Sequence, residues 1–167
     1  MHGPDRTRLV VLFGGQSAEH DISRVTARHV LTAADPDRYD LVAIGITRDG
    51  AWVKCSTDVS TFGDAVEISG ETVDPFSVLT PDSVVFPLLH GPMGEDGTLQ
   101  GLLEIAGVPF VGSAVLGSSM SMDKIIAKQV AQAEGFAQTN WRGLHANELT
   151  GPGSEVALDG LGDSLNY

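Results

Sequence analysis

Residues 8–47, "RLVVLFGGQSAEHDISRVTARHVLTAADPDRYDLVAIGIT", decide the fold. The stretch opens on an apolar run, "RLVVLFGG" (8–15), closed by two glycines, the pattern of a strand buried on both faces of a parallel sheet. A helix follows from about Ala18 to Ala34, with Ser17 as its N-cap and Ile22, Val25, Val30 and Ala33 as its apolar side. Asp35-Pro36 ends it, and "DLVAIGIT" (40–47) is a second strand. Strand, helix, strand with a helix-length crossover is the parallel βαβ unit.

Further along, "RDG" (48–50) turns the chain into "AWV", a hairpin signal. Residues 54–82 read as irregular with short strands. "SVVFPLLH" (83–90) is a third strand, less regular for its Pro87. "TLQGLLEIAG" (98–107) is a helix ending on Gly107, and "VPFVG" (108–112) a fourth strand. Ser121 caps a last helix, "MDKIIAKQVAQAEG", striped by Ile125, Ile126, Val130 and Ala133. The fold expected is therefore an α/β doubly wound, Rossmann-like parallel sheet. Residues 143–167 carry no Lys or Arg and show no sustained period, so they read as an irregular acidic tail.

A net charge of −12 with only three lysines, Lys54, Lys124 and Lys128, argues against nucleic acid and against an anionic membrane surface. Cys55 is the sole cysteine, which excludes an internal disulfide and a cysteine metal cluster. No apolar segment is long enough to span a bilayer, and the start lacks a signal-peptide core, so a cytoplasmic protein is expected.

Parallel strands finish at one edge, where open α/β sheets bind ligands at the point of strand-order reversal. If the first strand lies between the second and third, "GGQSAEH" (14–20) and "HGPMGEDG" (90–97) line one cleft. Glu19, His90 and Glu95 would be its polar groups, in loops that their glycines make flexible. Structural alternatives stand beside each. Glu19 gains about 0.3–1 kcal/mol from the helix macrodipole as a cap. His90 suits a hydrogen-bonded structural role at a strand end. Asp96 suits a cap for the helix at Thr98 better than catalysis. Lys124 opposes the dipole of its own helix, a small misfit that points toward an anionic ligand, while a plain exposed lysine remains the default reading. His20 and His29 read as surface residues.

Three stretches, "VVLFGGQSAEHDIS", "VVFPLLHGPMGEDGTLQGLLEIAGVPFVGS" and "SMDKIIAKQV", together resemble the N-terminal part of the D-alanine–D-alanine ligases, ATP-grasp enzymes of bacterial peptidoglycan synthesis. The likeness covers residues 8–142. It implies a pre-ATP-grasp domain over 1–120, the start of an ATP-grasp domain over 121–142, and the acidic tail beyond. It implies ATP and Mg²⁺ as cofactors and D-alanine as substrate. Glu19, a catalytic position, would receive the ammonium group of the first D-alanine, with Ile22 near its methyl, His90 beside its carboxylate and Glu95 in support. Lys124 would reach the ATP phosphates. A homodimer through this domain is a further implication. Sequence following "QTNWRGLH" departs from the family: no basic residue follows Arg142, and the phosphate loop and magnesium ligands have no counterpart. A truncated chain that does not catalyse ligation by itself is therefore expected. The alternative is a non-catalytic amino-acid-binding or dimerisation module, completed by a separate ATP-grasp chain.

Overall fold

The computed structural model describes residues 6–144. They fall into two compact units, one extending to Met122 and one beginning at Asp123.

The first unit is built on β1 (Thr7–Gly14), β2 (Tyr39–Ile46), β3 (Trp52–Cys55), β4 (Glu71–Thr72) and β5 (Ser83–Pro87). Their order in the sheet is β4-β3-β2-β1-β5. β1 runs parallel to both neighbours, with Val10 opposite Val42 on one side and Val85 on the other. β3 and β4 extend the sheet antiparallel beyond β2. The first strand thus lies between the second and third of the parallel strands, as the crevice reading required.

Central position explains the composition of β1, since a strand with both faces covered has no use for polar side chains. Val10 and Leu12 join one core cluster with Ile44, Val85, Leu99 and Leu103. Leu9, Val11 and Phe13 join the other with Ala27, Leu31 and Ala43. The first cluster is covered by α3 (Thr98–Ile105) and the second by α1 (His20–Ala33).

Several expectations need correction. Helix α1 starts at His20, so Ser17 is not its N-cap; Glu19 holds that position. Its buried stripe is His20, Ser23, Ala27 and Leu31, whereas Ile22 is 53% exposed and Ala33 lies on the surface. Polar residues turn inward here because they are hydrogen-bonded, which also makes His20 a buried residue and not a surface one. His29 is exposed.

Strand β5 stops at Pro87, so His90 belongs to a loop, and "VPFVG" pairs with the sheet edge only through the isolated bridge Val85–Phe110. A proline cannot donate to a ladder, and Pro109 contributes its carbonyl alone, to Val85 N–H at 2.8 Å. The irregular segment contains a helical turn, α2 (Pro75–Val78), capped by Asp74 with proline first in the helix. A further helix, α4 (Val115–Met122), encloses Ser121, so Ser121 is not the N-cap of the last helix.

Beyond Met122, the second unit contains α5 (Lys124–Ala133), whose cap is Asp123: its carboxylate accepts from the N–H groups of Ile125 and Ile126 at 2.9 and 3.1 Å. None of its residues is buried. Most of the acidic tail, from residue 145, lies outside the described residues. Among the described residues no helix is long and apolar enough to cross a membrane.

Leu103, fully buried between α3 and the sheet, tests the packing. Leu103→Ala should lower unfolding free energy by about 2–5 kcal/mol in urea denaturation, through lost transfer energy plus the cavity left behind. A loss under about 0.5 kcal/mol would mean that the α3 face is not packed as described.

Candidate functional site

Helix α1 is fastened to the ends of β1 and β5 by three polar side chains. Ser23, fully buried, accepts from Gly14 N–H at 2.8 Å and donates to the Leu88 carbonyl at 2.6 Å. His20 Nδ1 lies 2.6 Å from the Gly15 carbonyl. Ser17 donates to the His90 carbonyl at 2.8 Å and accepts from Glu19 N–H at 3.2 Å. Buried polar groups are costly without partners, so these bonds fix the helix start against both loops.

Their effect is to bring the candidate side chains together. One ligand-type atom each of Glu19, His90 and Glu95 lies within 4.8 Å of the others. The carboxylate of Glu19 makes no capping hydrogen bond, although its place at the N-cap still lets it interact favourably with the helix dipole. Glu19 Oε2 lies 3.1 Å from where a Cβ on Gly91 would sit. Gly91 also has φ +71°, so close approach and left-handed backbone both require glycine there.

His90 makes a structural contact and also lies in the cluster with Glu19 and Glu95. Its Nε2 lies 3.3 Å from Thr26 Oγ1, which itself donates to the Ile22 carbonyl at 3.0 Å. The threonine oxygen is left to accept, which assigns the proton to His90 Nε2 and leaves the neutral ring a lone pair on Nδ1. Ile22 shares a helical face with Glu19 and Thr26 by its spacing, three residues after one and four before the other. This apolar side chain stays open to solvent instead of entering the core.

The second loop is tied down, contrary to the flexibility its glycines suggest. Glu95 Oε2 accepts from Gly91 N–H at 2.6 Å, and Glu95 N–H donates to the Gly91 carbonyl at 2.9 Å. Gln100, buried on α3, donates to the Gly94 carbonyl at 2.8 Å. Asp96 accepts from Thr98 N–H and Met93 N–H, both at 2.9 Å, as expected of a helix-starting acid. Burial acts to raise the Asp96 pKa, but the N–H groups of Met93 and Thr98 outweigh it and hold the carboxyl below its ordinary value. Met93 takes φ +69° in this turn, a conformation rare for side chains other than glycine.

Elsewhere, Cys55 is buried in β3, and desolvation pushes its thiol pKa up despite nearby backbone hydrogen bonds, the opposite of an activated nucleophile. Lys124 is exposed at the first position of α5 and belongs to the second unit. Within the first unit, no ion pair to Glu19 or Glu95 is found among the described residues; the pairs near them join Arg24 and Arg48 to Asp21, and Arg24 to Glu67.

Sequence reasoning missed Ser17 as a loop tie, Ser23 and Thr26. A signal was present for Ser23: the helical period through Ala27 and Leu31 runs back to it, and a serine at a core position needs buried partners.

A doubly wound sheet with two carboxylates and an imidazole gathered at its strand-order reversal defines an α/β protein whose polar cluster lies where open α/β sheets bind small ligands. Comparison narrows this. Residues 8–113 match the family described as D-ala D-ala ligase N-terminus, and the chain belongs to that family. It is 48% identical over 155 residues to a D-alanine–D-alanine ligase of Rhodococcus erythropolis, covering 78% of this chain and 42% of the relative. Against the Deinococcus radiodurans ligase the identity is 44% over 139 residues, covering 82% and 41%. Among solved structures, the D-alanine–D-alanine ligase from Coxiella burnetii superposes with a TM-score of 0.71 at 29% identity, over 93% of this chain and 49% of that one. VanG D-Ala:D-Ser ligase from Enterococcus faecalis gives 0.67 at 26% identity, over 98% and 50%. The chain thus spans less than half the length of the curated relatives it matches.

Ser23→Ala leaves the Gly14 N–H and the Leu88 carbonyl buried without their partner. It should cost roughly 2–6 kcal/mol in denaturant melts, at about 1–3 kcal/mol for each of the two orphaned groups. A neutral substitution would show that α1 is held by apolar packing alone.

Proposed function

We propose that this chain forms the part of a D-alanine–D-alanine ligase that receives the first D-alanine. The convergence of Glu19, His90 and Glu95 at the ends of β1 and β5 carries this reading. An amino-acid zwitterion needs negative charge for its ammonium and a donor for its carboxylate. Two carboxylates without an ion pair in their own unit among the described residues supply the first, and His90 supplies the second in its imidazolium form, in which Nδ1 donates as well as Nε2. Glu19 takes the ammonium in a charge-assisted hydrogen bond and so holds the amino acid for reaction, the catalytic position in this reading. His90 sits beside the substrate carboxylate. Glu95 shapes the loop and adds negative potential. Ile22, open to solvent on the same helical face as Glu19, meets the methyl group.

ATP and Mg²⁺ belong to the activity of the whole ligase, and Lys124 is the residue here that would meet ATP phosphates. The described residues do not fit the metal. Magnesium favours near-octahedral oxygen ligands, whereas the one three-residue group found among them includes an imidazole. No phosphoryl-transfer step is assigned to this chain. Ligation for peptidoglycan synthesis, cytoplasmic location and homodimerisation are properties proposed for the whole protein.

Calorimetric titration with D-alanine tests the reading. Saturable binding should weaken at least tenfold in Glu19→Gln, which keeps the shape and removes the charge, since a hydrogen bond to a charged group contributes about 1.5–3 kcal/mol. L-alanine serves as the control. Equal D-alanine affinity in the native chain and Glu19→Gln would overturn the reading.

A further inference from the structure

We infer that Glu19, His90 and Glu95 also form a chelating site for a divalent transition-metal ion, such as Zn²⁺ or Co²⁺, which competes with a cationic ligand for the same crevice. This stands on the donor set and its supports, whether or not D-alanine binds.

The three ligand atoms lie within 4.8 Å of one another. A tetrahedral Zn²⁺ with bonds of about 2.0–2.2 Å places its ligands roughly 3.4 Å apart. Rotation of the exposed Glu19 side chain, and of the second Glu95 oxygen about the one that Gly91 N–H holds, supplies the difference of up to about 1.4 Å. Two carboxylates and one imidazole suit Zn²⁺ or Co²⁺, while Mg²⁺ and Ca²⁺ call for oxygen donors throughout.

Outer hydrogen bonds orient the ligands before a metal arrives, the arrangement found around metal-binding histidines and carboxylates. Thr26 takes the Nε2–H of His90, leaving the Nδ1 lone pair to offer. Gly91 N–H holds one oxygen of Glu95 and leaves the other available. Ser17 pins the His90 carbonyl, so the ring projects from a fixed backbone. With two carboxylates close together and no ion pair to either in this unit among the described residues, the site attracts a cation. Three protein ligands leave a fourth position for water or for the amine or carboxylate of an amino acid.

The test is a Co²⁺ titration of the full 167-residue chain, read by the intense visible bands of four-coordinate cobalt. The bands should saturate at one equivalent, be abolished by Zn²⁺ and persist in excess Mg²⁺. His90→Asn should eliminate them, and Glu95→Gln should weaken Co²⁺ binding at least tenfold. His29→Asn, at an exposed histidine, should leave them unchanged. Circular dichroism melts of each variant separate loss of the site from loss of the fold; Glu95→Gln replaces an exposed side chain by its isostere and serves if His90→Asn unfolds. Absence of the bands, their survival in folded His90→Asn or full-strength binding in folded Glu95→Gln, or displacement by equimolar Mg²⁺ would each overturn the inference.

Discussion

One buried hydroxyl holds the two halves of the crevice together. Ser23 lies on α1 and binds the last residue of β1 and the residue just after β5, two chain segments more than 70 positions apart in sequence. A serine offers one donor and acceptor lone pairs from a single short arm, so it can bridge an N–H and a carbonyl at once. His20, one turn earlier, and Ser17, just ahead of the helix, add to this, each bonding a backbone carbonyl at the same sheet edge. The cost of burying these groups is met only while both loops stay in place, which makes the helix start, the glycine turn after β1 and the loop after β5 one cooperative object.

That object sets the chemistry. With His20, Ser23, Ala27 and Leu31 facing the core, the helical period sends Glu19, Ile22 and Thr26 to the crevice. Thr26 then orients His90, and the reverse turn through Gly91 and Met93 brings Glu95 back onto the same point. The result is concentrated negative charge with an imidazole beside it, open on one apolar residue. This arrangement is the basis of the proposal that the site takes a small cationic or zwitterionic ligand. Membership of the D-alanine–D-alanine ligase family and the preference of the geometry point the same way.

Much of this was legible in the sequence, and the failures follow a pattern. The long apolar runs of β1 and β2 are unambiguous because the buried stretch of each leaves little room for polar residues. The meeting of Glu19 with His90 and Glu95 was legible as well, since a parallel sheet sends every strand's end to one edge. Short elements escaped: α2 is four residues long, and the "VLGSSMSM" of α4 buries only Ser118, so neither shows a period. The face of α1 was misjudged because its apolar residues were taken as its core residues. Ile22 is exposed on the face shared with Glu19, and Ser23 and His20 are buried because they carry backbone hydrogen bonds. The rigidity of the 90–97 loop was hidden by its glycines, whose freedom is used to reach one conformation that Glu95, Asp96 and Gln100 then lock.

Amide hydrogen exchange at Gly14 tests the coupling of the two loops most directly, because its N–H has the Ser23 hydroxyl as its partner at the mouth of the crevice. Protection comparable to that of Val11 and Ile44 in the buried strands is the predicted result. Exchange at the rate of the exposed 56–61 segment would contradict it, and would mean that Glu19 and His90 face each other without being held there.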